Sequence, residues 1–300
     1  MRGRNAMNEK QNKRLMHLVK RAHGLLENND IQKQRTVQNQ LGNILGNNKN
    51  YTFTPQTFYN LYAEWTDYIP NELATDHNDA VIFYCHGGGY MTGSCVYARE
   101  LTTKLARHTG ARIFCFDYRL APEFPYPAAV EDAMSAWNAF LYCGYHAENV
   151  IIAGDSAGGN LALVLTLILR EKNMTLPKSL ILFSPWTDMT SSGKSYHSKE
   201  LIDPVLSNEY IAKAISSYLG SASALSPYVS PLFADFKNFP PVYIQVGSNE
   251  ILLDDSRQLY KQLLKHNVYA KLDIFEGMWH VFQMSPLKTA YDAMEKNAEF

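Results

Sequence analysis

Ser156 stands in Gly154-Asp155-Ser156-Ala157-Gly158-Gly159, a G-x-S-x-G core placed directly after the apolar, β-branched run Val150–Ala153. A strand, tight turn and helix of this kind lift a serine hydroxyl out of a sheet edge and expose it for attack on a carbonyl. Upstream, the glycine triplet of His86-Gly87-Gly88-Gly89-Tyr90 follows a second buried-strand run, Ala80–Cys85. Glycines there offer backbone N–H groups with no Cβ in the way, the donors a tetrahedral oxyanion needs. Both motifs, in this order and each just past a strand, point to acyl transfer. The expected oxyanion donors are the N–H of Ala157 and those of Gly88 and Gly89.

A serine hydroxyl at its free pKa is a poor nucleophile, so it requires a histidine base and a carboxylate that holds the base in the right tautomer. On such a sheet the acid and then the histidine follow the serine, each just past a strand. Downstream of Ser156 lie only His197, His266 and His280. His280, in Gly277-Met278-Trp279-His280, follows the strand-like run ending at Phe275 and is the expected base. His266 ends a helix, where a cation meets the dipole favourably, and His197 lies in a polar insertion. For the acid, Glu250 sits in the loop just past the run Val242–Val246. Asp254 and, behind it, Asp255 are the alternatives, but both precede a helix, where acids commonly cap or meet the dipole.

The elements that must position these residues alternate. Strand patterns over Ala80–Cys85, Arg112–Asp117, Val150–Ala153 and Ser179–Phe183 are interleaved with helical patterns over Ala98–His108, Ala128–Leu141 and Ala157–Arg170. That alternation predicts a mostly parallel sheet with helices on both faces, an α/β fold. Between Ser184 and Pro241 it breaks, in a long mixed insertion of the kind that is usually functional. It resumes with the strand Val242–Val246, a helix over Ser256–Lys265, the strand Lys271–Phe275 and a last helix from about Pro286. The first 45 or so residues carry helical spacing, within a cap segment spanning residues 1–50. With 185–240 they are expected to form a cap over a catalytic domain spanning 51–300. A segment rich in Tyr and Phe follows Asn50 and ends in a polar turn, Asp76–Asp79.

Composition narrows the function classes. A hydrophobic fraction of 46% supports a sizeable core, and a net charge of −1 argues against nucleic acid or a membrane surface as partner. Basic charge is local: residues 1–35 hold nine Lys/Arg against three Asp/Glu, read as a solvated helical face. Asn5–Arg14 is too polar for a secretory signal, and the apolar run Leu161–Leu169 is too short to span a bilayer. Cys85, Cys95, Cys115 and Cys143 show no C-x-x-C spacing, so a cytoplasmic, disulfide-free protein is expected. Ligand spacing for a metal is missing, and the glycine runs lack the Lys-Ser/Thr ending of a nucleotide loop, so no metal or cofactor is expected.

HGGGY, then Asp117-Tyr118-Arg119-Leu120-Ala121-Pro122-Glu123, then GDSAGG resembles the bacterial hormone-sensitive-lipase family of α/β-hydrolase esterases. The likeness continues through Ser184-Pro185-Trp186, Asp203-Pro204, the Glu250 segment and Gly277-Met278-Trp279-His280, covering about residues 60–300. It implies an α/β-hydrolase fold with a helical cap from the N-terminus and an insertion after the sixth strand. It also implies a serine carboxylesterase in which Ser156 is the nucleophile, Glu250 the acid, His280 the base, and Gly88, Gly89 and Ala157 the oxyanion donors. Glutamate at the acid position departs from the aspartate more usual in the family, though GDSAGG members show it. Short- to medium-chain acyl esters are the implied substrates. Lactone or amide hydrolysis by the same triad is the alternative, and a non-catalytic small-molecule receptor a more distant one. A homodimer through the edge strand Lys271–Phe275 is the implied partner. Outside the triad, Tyr90, Trp186 and Met278 line the acyl or alcohol pocket or else belong to the core. His86 and Asp155 support the oxyanion loop and the serine turn, Arg119 and Glu123 form a bracing ion pair, and Cys95 packs.

Overall fold

Strand runs with no polar alternation are those covered on both faces, and the central strands of this chain read that way. In the computed structural model, which describes residues 13–21, 30–46, 49–58, 60–69 and 81–300, strand β3 (Val81–Cys85) sends Val81, Phe83 and Cys85 into one apolar cluster and Ile82 and Tyr84 into the other. The first cluster gathers Phe114, Trp137, Phe140, Leu161 and Leu165; the second gathers Ile113, Leu101, Leu105 and Met294.

Helical residues 13–21 (α1) and α2 (Ile31–Gly46) come first. The Tyr/Phe-rich segment, for which no element was expected, forms an antiparallel hairpin, β1 (Tyr51–Phe58) and β2 (Leu61–Tyr68). Pro55 is tolerated there because β1 is an edge strand. The expected turn Asp76–Asp79 and Ala80 lie outside the described residues.

The alternating units then appear as expected: β3, α3 (Cys95–Thr109), β4 (Arg112–Phe116), α4 (Ala128–Tyr142), β5 (Val150–Asp155), α5 (Ala157–Glu171) and β6 (Ser179–Phe183). The insertion after β6 carries α6 (Ser195–Ser198) and α7 (Asn208–Tyr218). It is followed by β7 (Val242–Gly247), α8 (Leu253–Lys265), β8 (Ala270–Phe275) and α9 (Lys288–Ala298). Ser94 caps α3 and Ser207 caps α7, each hydroxyl accepting an N–H three residues on.

Eight strands form one sheet in the order β1-β2-β4-β3-β5-β6-β7-β8, with β2 antiparallel to β4 and β3 through β8 parallel. The chain passes from β3 out to β4 and back across to β5. The carboxyl ends of β3 and β5 therefore flank the switch point where open α/β sheets bind ligands. β8 lies at the sheet edge. Among the described residues no helix is long and apolar enough to cross a membrane.

Candidate active site

Every expected site residue emerges just past the carboxyl end of a parallel strand: Gly88 and Gly89 after β3, Ser156 after β5, Glu250 after β7 and His280 after β8. Ser156 has φ 55° and ψ −119°, a conformation non-glycine residues rarely adopt. The surroundings hold it there. Its N–H donates to Phe183 O at 2.9 Å, and its carbonyl accepts from Trp186 N at 3.0 Å and Asn160 N at 3.2 Å. Gly154 and Gly158 are required by contact. A Cβ on Gly154 would meet Gly158 O, and one on Gly158 would meet the carbonyls of Cys85 and His86. Ser156 is 8% exposed.

His280 Nδ1 and Glu250 Oε2 are 2.7 Å apart, with both side chains buried. The other carboxylate oxygen, Oε1, accepts from Ser184 Oγ at 2.9 Å and Gly247 N at 2.5 Å. Burial pushes the His280 imidazole down, but Glu250, with Asp203 and Asp155, outweighs it and leaves the pKa above the ordinary value. Asp254 is occupied elsewhere: it accepts from Ser195 N and pairs with Arg257 at the start of α8. Asp255 accepts from Thr187 N and Asp188 N. The structure thus brings Glu250, and neither aspartate, to the imidazole. His266 bonds Gln262 O and Asp235.

The glycine loop presents free donors. Gly88 and Gly89 have φ 114° and 62°, and among the described residues the N–H groups of Gly88, Gly89 and Ala157 donate to no protein acceptor. Asp155 ties this loop to the serine turn by accepting Gly87 N at 2.9 Å and Tyr84 OH at 2.6 Å. Burial raises the Asp155 pKa to about 6, against those two hydrogen bonds. His86 Nδ1 lies 2.9 Å from Gly87 O, so it donates, and the ring stacks on Tyr118 at 4.1 Å.

Of the expected pocket residues, Tyr90 is fully buried, stacked on Tyr218 at 3.8 Å, with its hydroxyl on Asn160 Oδ1. Trp186 is also fully buried, and Met278 packs beside Trp279 and Phe282. Arg119 and Glu123 do brace loops, but not with each other. Arg119 pairs with Asp132 and Glu131, while Glu123 takes a bidentate pair from Arg35 of α2.

Several residues around the site have no role assigned from the sequence, although Asp203 stands in a segment of the family likeness. Arg35 also donates to Met91 O and Ala121 O, fastening α2 to the segments after the glycine loop and after β4. Asn160 joins Tyr90 to the carbonyls of Trp186 and Val229; its place one helical turn after Ser156 was the available hint. Asp203, buried in the insertion, accepts Val205 N, Leu206 N and Ile251 N, and burial raises its pKa to about 6. From α7, the Tyr210 hydroxyl reaches the space a Cβ on Gly89 would fill.

A mostly parallel sheet with a serine elbow after its central strand is the architecture of the α/β-hydrolases. Residues 82–284 match the family described as alpha/beta hydrolase fold. An esterase of Acinetobacter venetianus is 40% identical over 205 residues, covering 68% of each chain. An acetyl-hydrolase of Streptomyces hygroscopicus is 35% identical, covering 67% of each. The crystal structure of an esterase from the bacterial hormone-sensitive lipase family superposes with a TM-score of 0.90 at 31% identity over 97% of each chain. The chain belongs to the bacterial hormone-sensitive-lipase family of α/β-hydrolase esterases and is a carboxylic ester hydrolase.

Proposed function

We propose that the chain hydrolyses short- to medium-chain acyl esters with Ser156 as nucleophile, His280 as base and Glu250 as acid. The observation that carries this reading is the Glu250–His280 contact of 2.7 Å. With Nδ1–H held by the carboxylate, Nε2 is left unprotonated and able to take the Ser156 proton. Ser156 Oγ attacks the acyl carbon as its proton passes to His280. The oxyanion is met by the N–H groups of Gly88, Gly89 and Ala157, and His280 returns the proton to the leaving alkoxide. Water then attacks the acyl-enzyme by the same route in reverse, giving the acid and free serine.

Short acyl groups are favoured by two observations. The similar Streptomyces protein is an acetyl-hydrolase, and Tyr210 crowds the glycine loop from the insertion. On this reading the N-terminal helices and residues 185–240 form the cap. Lactone or amide hydrolysis would use the same groups and differs only in the leaving group. The test is hydrolysis of p-nitrophenyl esters from acetate to palmitate by wild type and Ser156→Ala. The expected result is highest kcat/KM at two to eight carbons (about that range) and loss of turnover in the variant. Undiminished turnover in Ser156→Ala refutes the reading.

A further inference from the structure

One short segment touches two of the proposed triad members and the residue that follows the third. Phe183 O and Trp186 N hold the amide and carbonyl of Ser156. Between them, the Ser184 hydroxyl donates to Glu250 Oε1 at 2.9 Å and accepts Val281 N, the residue after His280, at 3.2 Å. Ser184 is fully buried, and its own N–H is fixed on Gln245 O at 2.8 Å. Its φ of 47° departs from the extended backbone of β6, which ends one residue earlier.

The two groups it bonds are ones that need holding. Val281 is a β-branched residue at φ 49°, a costly conformation that aims the preceding His280. Glu250 must present Oε2 to the imidazole, and a carboxylate fixed at one oxygen cannot rotate the other away. Gly247 N supplies one such fixed donor to Oε1 and Ser184 the second.

We infer that Ser184 is a positioning residue of this enzyme, its hydroxyl setting the register of the acid loop against the histidine loop. The inference rests on the triad reading above. Its effect passes through His280, which is faced by Glu250 from the loop after β7, Asp203 from the insertion and Asp155 from the end of β5. Removing the Ser184 donor concentrates the carboxylate charge on the oxygen that faces the imidazole and favours its protonated form. The acid limb of the rate profile then moves to higher pH.

The experiment compares Ser184→Ala and Ser184→Gly with wild type on p-nitrophenyl butyrate. Rates are normalised to active sites titrated with a p-nitrophenyl phosphonate. Glycine adopts φ 47° without strain, so the pair separates loss of the hydroxyl from loss of backbone fit. In both variants kcat per active site is expected to fall about tenfold with KM within about twofold, and the acid limb of kcat/KM to rise by a few tenths of a pH unit. Wild-type kcat per active site, or a fall with an unmoved limb, overturns the inference. Ser156→Ala and His280→Ala run alongside: full activity in those would overturn the triad reading itself, a result distinct from an inert Ser184.

Discussion

Replacing Glu250 by glutamine keeps the side chain's size and exchanges one acceptor oxygen for a donor. The structure says where the donor must go. Three donors converge on the carboxylate: Ser184 Oγ, Gly247 N and His280 Nδ1. Gly247 N–H is backbone at 2.5 Å and cannot reverse, so the remaining oxygen stays there and the amide NH2 faces Nδ1. The imidazole then moves its proton to Nε2 and loses the lone pair that accepts the serine proton. The analogous loss of tautomer control in a serine protease costs about 10⁴ in kcat, or about 5.4 kcal/mol of barrier at about 1.36 kcal/mol per tenfold. The assay is kcat on p-nitrophenyl butyrate at neutral pH, with Asp254→Asn as comparison. Because Asp254 serves Ser195 and Arg257, its variant is expected within about twofold of wild type. A Glu250→Gln enzyme within about tenfold of wild type, beside a crippled Asp254→Asn, would refute the reasoning and move the acid.

Other expectations follow from the same contacts. Gly158→Ala drives a Cβ into the carbonyls of Cys85 and His86, and overpacking of this kind costs about 1–3 kcal/mol or more; a wild-type urea midpoint with full activity would contradict it. Only neutral imidazole acts as base, so activity rises with pH through the His280 pKa. That limb is expected above the ordinary histidine value, because Glu250, Asp203 and Asp155 outweigh burial. A kcat/KM profile with its acid limb below that value speaks against the contact as drawn. Arg35→Ala removes the donors that fasten α2 to Met91 O, Ala121 O and Glu123; the melting temperature is expected to drop by about 2–4 °C, and an unchanged one would assign that anchor no weight.

The parts of the site legible in the sequence are those where local chain chemistry and function coincide. Gly154, Gly158 and the Gly88–Gly89 pair are needed by backbone contact or positive φ whatever the substrate, so the motif and the geometry are one signal. His280 was legible through its place after a strand. Glu250, three residues past the end of β7, is separable from Asp254 by its place in the loop, since Asp254 belongs to the first turn of α8. The hairpin β1–β2 escaped notice because an edge pair mixes exposed and buried positions and tolerates Pro55. Ser184 stands in a segment that carries the family likeness, but its contacts, like those of Arg35, were illegible for a different reason. Their partners lie far along the chain, at Glu250 and Val281 and at Glu123, and nothing in a serine before proline announces a buried hydroxyl shared by two loops. Arg119 and Glu123 suggest a pair by charge and spacing, but their partners come from α4, next along the chain, and from the distant α2.

The most direct test of the account is where an acyl-like label lands. Wild-type enzyme treated with a p-nitrophenyl phosphonate is digested and its peptides weighed by mass spectrometry. One adduct is expected, on Ser156, appearing in step with loss of esterase activity and absent from His280→Ala under the same conditions. An adduct on another residue, or full inactivation with Ser156 unmodified, would contradict the assignment of the elbow serine as the nucleophile.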